Sequence, residues 1–396
     1  MNLYFDIRDI FRSPRLALSG KKIWIFLRAN ISGYLVYFIF NYLGLMLMGQ
    51  SIKYIWATQG LYPCLYLFEL TWYSALLFWI SIIYWLINLL FAATAVSRVT
   101  YKQLKGDEFY SAKESREYVK RHWHAIIFSP VSIFLIVLFF IILAIIFSFI
   151  SKIPYLGEFL FALPYLIYFF GSLFTIYTIG VFIISIIYTP AIVGSLEEDT
   201  MGSTFNSYAI AWGQPWRVIC YNIILIPLTY IAHTIFGYAT FLGFKFINLI
   251  FGHDILMGSK LNNIVGTAAN VVWPKNLGVS IHGSDYLNFH NFFIPTSSDT
   301  LTGIECISSL IVGFFLLLIT ISWLSYTLST LTVGHTLMLC IFKKRSDNVN
   351  ILEKKDEEEE FENNILETKN DLLIEADDQL NKNNQNDSED LDNTEE

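Results

Sequence analysis

The sequence predicts an all-α fold, a polytopic transmembrane helical bundle of about six spans with cytoplasmic amphipathic surface helices and a disordered acidic C-terminal tail. Three observations carry this. Residues 31–48, 72–96, 126–149, 163–187, 218–236 and 307–333 are apolar stretches close to the length of about 20 residues that crosses roughly 30 Å of hydrocarbon at 1.5 Å per residue. Only 15% of the chain is charged, against about 25% in a soluble domain. The Lys and Arg content of the connecting loops also rises and falls alternately, as it does when basic residues are retained on the cytoplasmic side.

Taken in order, residues 1–30 read as a cytoplasmic interfacial segment. Leu3, Ile7, Ile10 and Phe11 share one helical face beside Asp6, Arg8, Asp9 and Arg12, and Pro14 interrupts it. Such a face lies among headgroups with its basic groups near anionic lipid, or packs on the protein's own loops. The first long apolar run starts late and no small-residue cleavage site follows it, so it is expected to act as the insertion signal. Arg8, Arg12, Arg15, Lys21, Lys22 and Arg28 precede it, and seven more basic residues fall between Arg98 and Arg121, whereas the first two outer loops hold only Lys53 and Lys152. Both termini are therefore expected to be cytoplasmic.

A helix running from 218 to 251 would outrun the hydrocarbon, and the stretch contains Lys245, so a break or an interfacial helix is expected at 237–251, with a re-entrant pair or one long span as the alternatives. A single extra crossing there would carry Lys343, Lys344 and Arg345 outside. Residues 252–302, rich in Gly, Asn, Ser and Thr with Pro274 and Pro295, read as an extracytoplasmic loop with little regular structure. The transmembrane domain thus covers 31–342, and 343–396 forms the tail.

The tail sets the sign of the charge. It holds seven Lys and Arg against 19 Asp and Glu, net −12, within a chain of net charge −8. Nearly free of aromatics, it is expected to be disordered, with Leu366, Leu373 and Leu380 at heptad spacing suited to one helix induced on a protein partner. No basic cluster with interleaved aromatics exists, which sets nucleic-acid binding aside. The expected partners are the lipid bilayer and a protein that meets the acidic tail.

The two inner loops share a pattern, Asp107-x-x-x-Ser111-x-x-x-Ser115 and Asp199-x-x-x-Ser203-x-x-x-Ser207. In the first, Phe109, Ala112, Val119 and Trp123 recur at helical intervals and Ser111 with Glu114 is spaced as a capping box; in the second, Met201, Phe205, Tyr208 and Trp212 recur. Each loop is expected to hold an amphipathic helix along the membrane surface. If the pattern records a duplication, spans two and three correspond to spans four and five as a parallel repeat. Shared Ser and Asp also recur simply because both cap helices.

Ile153, Pro154, Tyr155, Leu156 and Gly157 after span three, with Ser207, Tyr208 and then Gln214, Pro215, Trp216 and Arg217 before span five, resemble uncharacterised bacterial multi-pass inner-membrane protein families. They are also similar to membrane domains found beside glycerophosphodiester phosphodiesterases, whose catalytic domain this chain lacks. The resemblance covers residues 92–226 and implies a fold and a bacterial inner membrane rather than a reaction.

Ionisable and polar residues within spans are the candidate functional groups, since burying them in hydrocarbon is costly. These are His233 in span five, His335 at the inner end of span six, and Asn88 in span two, with Asn41 in span one; helix-packing hydrogen bonds are the plainer role for all of them. Glu69, Glu158 and Glu305 fall near outer ends rather than mid-span. His253, Asp254, His282, Asp285, His290 and Asp299 are zinc-ligand types without a zinc spacing, so no metal, catalytic or cofactor residue is assigned. No nucleophile motif, H-E-x-x-H or Walker sequence is present. Cys64 and Cys306, both expected on the outer side, are the two that a disulfide could join, although the sequence sets no distance between them. The expected function is that of a non-enzymatic organising or accessory component binding partners through its cytoplasmic helices and tail. A transporter or permease-like component, with a pathway near His233 or Asn88, is the alternative; a membrane-embedded lipid-modifying enzyme is another.

Overall fold

The computed structural model describes residues 3–64, 71–273 and 301–353, all helix, turn or coil. Thirteen helices are defined among them. They are α1 (Ile7–Ile10), α2 (Ser13–Ala17), α3 (Gly20–Leu47), α4 (Ile52–Gln59), α5 (Trp72–Lys105), α6 (Ala112–Arg121), α7 (Trp123–Ile150), α8 (Leu156–Ala162), α9 (Tyr165–Leu196), α10 (Thr200–Gly213), α11 (Pro215–Phe251), α12 (Ser259–Val272) and α13 (Gly303–Ser346). The expected helix on Leu366, Leu373 and Leu380, with Glu69, His282, Asp285, His290 and Asp299, lies outside the described residues. The chain forms two units, Met1–Val349 and Asn350–Glu396. In the described part of the second, Asn350 closes a turn by donating to Glu353 at 2.7 Å.

Helices α3, α5, α7, α9, α11 and α13 are each long and apolar enough to cross a bilayer. The protein is an all-α, multi-pass membrane bundle. Its surface agrees with lipid as solvent: every residue from 141 to 150 is exposed, and in that stretch all but Ala144 and Ser148 are large and apolar. Helix α13 is central, packing on α2, α3, α5, α9, α11 and α12.

The spans outrun the apolar stretches mainly at one end, where the basic loops gather. Helix α3 begins at Gly20 rather than near residue 31, and α5 continues to Lys105, where Gly106 at φ 111° supplies a left-handed cap and Lys102 and Lys105 face the negative end of the helix dipole. The interfacial segment is also revised. Pro14 opens α2 instead of breaking a helix, and α2 packs on α13 with Leu16 and Ala17 buried; Ile10 is buried while Ile7 and Phe11 remain exposed.

Two expectations at the other end are overturned. No break occurs at 237–251, because α11 runs unbroken for 37 residues. One face of its last third meets protein, with Phe241 and Phe244 clasping the Trp273 ring at 4.8 and 5.4 Å, while Leu242, Phe246 and Leu249 stay exposed. Within 252–302, expected to have little regular structure, Ser259–Val272 is a 14-residue helix whose Ala268, Ala269 and Val272 pack with Leu316 of α13. Its many Gly, Ala and Asn residues are what a close helix–helix contact in a membrane uses.

The surface helices form as expected, with different faces inward. In α6 the capping box between Ser111 and Glu114 is made, and Ser115, Tyr118 and Val119 are buried. In α10 the inward face is Ser203, Ser207, Ile210 and Ala211, and Met201, Phe205 and Trp212 point outward. The shared residues of the repeat are not structurally equivalent: Asp199 is itself the N-cap of α10, whereas Asp107 closes a turn onto the Phe109 and Tyr110 amides and leaves capping to Ser111. The span, surface helix, span arrangement nevertheless occurs twice, in α5–α6–α7 and α9–α10–α11.

Candidate functional site

Two regions concentrate buried polar groups. The first is the basic end. Arg98, with no exposed side-chain surface, pairs with Glu197 at 2.7 Å, and its guanidinium lies 4.3 Å from the Tyr118 ring centroid. Glu197 caps α9 in the left-handed region, φ 59°, a conformation that disfavours a non-glycine residue. Tyr118 in turn donates to the Val193 carbonyl at 2.6 Å, one of the carbonyls the end of α9 leaves without a helical partner. Thus α5, α6 and α9 are locked through one ion pair and its phenol. Gly194 permits the approach, because a Cβ there would lie 2.8 Å from the Ser97 Cβ and 2.9 Å from the Thr94 carbonyl oxygen.

Further bonds fasten the N-terminal segment to the same end. The buried Lys22 ammonium donates to the Leu16 carbonyl and to Gln103 Oε1, both at 2.9 Å, and Lys21 donates to the Glu108 carbonyl at 2.8 Å. Ser329 of α13 donates to the Ala17 carbonyl at 3.2 Å, and Gln214 donates to the Phe342 carbonyl at 3.1 Å. At the end of α13 the Lys343 ammonium, 2.9 Å from Asp347, holds that carboxyl below its usual range.

The candidate residues of the spans sit in interhelical contacts. His335 donates to Asn222 Oδ1 at 3.1 Å, and Asn222 donates to the Tyr188 hydroxyl at 3.0 Å, joining α13, α11 and α9. His233 shares a 2.7 Å hydrogen bond with Thr327 and stacks on Trp323 at 4.2 Å. Asn88 donates to the Tyr84 carbonyl of its own helix at 2.9 Å, as Asn41 does to Tyr37 at 2.7 Å. The structure does not bring His233, His335 and Asn88 together. Cys64 and Cys306 are free thiols. Among the described residues no three His, Cys, Asp or Glu side chains converge as metal ligands.

The second region is a cavity of about 1210 Å³ between α3, α5, α12, α13 and the turn after α4. Its floor is a polar relay in which Trp85 donates to Asn30 at 3.2 Å and Asn30 donates to Ser325 at 3.1 Å. The Trp85 ring rests on Gly33, where no Cβ fits. Trp85 stands at the centre of the apolar stretch 72–96 and Asn30 directly precedes the stretch 31–48, so this floor lies within the span, between its middle and its basic end.

The cavity roof is irregular backbone. Gly60, at φ 55°, ends α4, and residues 60–64 turn across the outer part of α3. Tyr34, Tyr37 and Tyr42 donate to the carbonyls of Leu61, Pro63 and Gly60 at 2.9, 2.8 and 2.6 Å, and Gln59 Oε1 accepts from the Cys64 amide at 2.9 Å. Tyr34 and Tyr37 stand only about 6 and 10 Å outward of Asn30 along the helix, within the hydrocarbon half-thickness of about 15 Å. Non-helical backbone at that depth must be satisfied by protein, and the three phenols do this. Helix α12 arrives at similar depth: Trp273, just past its end, donates to Thr320 at 2.8 Å, and Tyr62 donates to the Val272 carbonyl at 2.6 Å. Two interrupted elements are therefore tied together over the cavity. The tyrosine spacing of α3 was visible in the sequence; the carbonyls it serves lie 18 to 27 residues away in a segment with no motif.

No family model, curated protein or solved structure matches the chain.

Proposed function

We propose that this chain is a non-enzymatic accessory protein of a bacterial inner membrane, with both termini cytoplasmic, that organises partners on a rigid cytoplasmic platform. The observation that supports the reading is the fixation of the basic end. An interaction surface carried on short helices needs preorganisation if it is not to lose affinity to ordering costs. Here the N-terminal segment, α6 and the ends of α5, α9 and α13 are joined by buried polar bonds, foremost Arg98 to Glu197. The platform's outward face offers Lys113, Glu114, Glu117, Lys120 and Arg121, all exposed, and the acidic tail leaves from the same end. The positive-inside distribution supports the orientation.

A photocrosslinking residue at Lys113 or Glu117, irradiated in native membranes, is expected to give a discrete protein adduct that weakens when the tail is removed at Asp347. Only lipid adducts, indifferent to the tail, would refute the platform. For orientation, a single cysteine at Glu117 should label only after the membrane is permeabilised.

The cavity supports a second reading, a transporter or permease-like component. Transporter sites lie within the membrane beside discontinuous helices, as the Asn30–Trp85 floor lies beneath the turn after α4 and the end of α12.

A further inference from the structure

We propose that the cavity between α3, α5, α12 and α13 is a binding site for an acyl chain of a membrane lipid, which enters sideways from the bilayer. The inference is independent of the platform reading. Size comes first. At about 1210 Å³ the partly open space exceeds the roughly 300–1,000 Å³ of ordinary small-molecule sites, which is room for an extended chain.

The chemistry of the wall selects the occupant. Among the described residues no Lys, Arg, Asp, Glu or His lines the cavity, and a buried ionic or strongly polar solute requires a compensating partner. The wall is mostly aromatic and aliphatic, with Tyr34, Tyr37, Trp85 and Ile321 prominent, and Asn30, Gln59, Asn270 and Thr320 are its main polar members. Three of the tyrosine hydroxyls near it, those of Tyr34, Tyr37 and Tyr62, are directed to backbone carbonyls, which turns their rings into apolar surface. The part of a ligand inside is therefore uncharged and hydrocarbon, and any charged headgroup stays at the mouth.

Access fixes the source. Leu86 and Leu324 both line the cavity and are 47% and 42% exposed. Each is adjacent in sequence to a floor residue, Trp85 or Ser325, and so lies within the apolar part of its span. We place the mouth there, facing hydrocarbon, where a lipid tail is the concentrated occupant. The floor relay of Trp85, Asn30 and Ser325 marks the closed end against the packed basic half.

The test uses the full chain reconstituted in phosphatidylethanolamine and phosphatidylglycerol vesicles doped with a phospholipid carrying a diazirine midway along one acyl chain. After irradiation, adducts are mapped by mass spectrometry. Labelling of Tyr34, Tyr37 or Trp85 is expected at several times the level found on the exposed Ile183 face of α9. Two variants close the site by different routes: Ile321→Trp fills it, and Leu86→Phe narrows the mouth at a position exposed enough to take the ring without repacking. Either should lower cavity labelling at least fivefold while leaving the Ile183 face unchanged. Labelling no greater than on α9, or unaltered in a Leu86→Phe protein that keeps its wild-type unfolding temperature, would overturn the proposal.

Discussion

Removing the guanidinium of Arg98 tests whether the basic end is held by one buried pair. Arg98→Met keeps the length and apolar stem of the side chain but leaves the Glu197 carboxylate, only 10% exposed, without its 2.7 Å partner. Breaking a buried pair from one side costs about 3–5 kcal/mol, and loss of the cation over the Tyr118 ring at 4.3 Å adds up to about 2 kcal/mol. Against a total stability of roughly 5–15 kcal/mol, this is a large fraction. The double variant Arg98→Met with Glu197→Gln removes the stranded charge as well. It should regain half or more of the loss, because replacing both members of a buried pair is often close to neutral. The left-handed backbone at Glu197 is common to every variant in the cycle and cancels. Cys340, fully buried on α13, provides the assay: with Cys64, Cys220 and Cys306 changed to Ser, a thiol-reactive dye reports unfolding in detergent. The coupling read from the four proteins is expected to be about 2 kcal/mol or more. Additive effects, or an Arg98→Met protein that unfolds with the wild type, would show that α5, α6 and α9 are held by packing alone.

Gly194→Ala should destabilise by about 1–3 kcal/mol through overpacking, since backbone at Thr94 blocks the new Cβ, whereas Gly180→Ala, with open space around it, should gain up to about 1 kcal/mol; the same dye assay measures both. Changing Tyr34 and Tyr37 together to Phe strands two carbonyls of the turn after α4 at about 0.6–1.7 kcal/mol per lost bond. Alkylation of Cys64 should accelerate while that of Cys306 stays constant, and an unchanged Cys64 rate would mean that the phenols do not hold the turn. Ser111→Ala dismantles the capping box of α6 and should cost about 1 kcal/mol, seen as faster amide exchange confined to that helix and restored by Ser111→Asp.

The spans were legible because their signal is composition over 20 residues, and the capping box because Ser111 and Glu114 sit at a fixed local spacing. What was illegible is long-range. Ser203 looks like Ser111 in sequence, yet Asp199 takes the cap of α10 and Ser203 becomes a buried contact, since helix start depends on where α9 stops. The continuity of α11 through Lys245 was hidden for a related reason: hydrocarbon thickness argues for a break, but Phe241 and Phe244 on one face of that stretch pack on Trp273, a residue far off in sequence. His233, His335 and Asn88 stood out as polar residues in apolar runs, and the structure places them in separate contacts. The cavity residues did not stand out, because tyrosine, tryptophan and isoleucine are ordinary in a span and only their convergence makes a site.

The two ends of the molecule use buried hydrogen bonds to opposite effect, and this separates the platform from the cavity. At the basic end the polar groups close gaps: Lys22, Ser97, Arg98, Gln214 and Ser329 each draw two elements together, leaving a packed core. In the other half the phenols of Tyr34, Tyr37 and Tyr42 tie the turn after α4 to α3, beside the space between α3, α5, α12 and α13. The space is a partly open groove rather than a sealed void, so in a membrane its wall is in contact with lipid or water. Water needs polar partners, which Asn30, Gln59, Asn270 and Thr320 offer at a few points of the wall, whereas the aromatic and aliphatic remainder is matched by a lipid tail. It follows that lipid composition should tune the stability of the outer half, through the occupant of this cavity, while leaving the Arg98–Glu197 end unaffected.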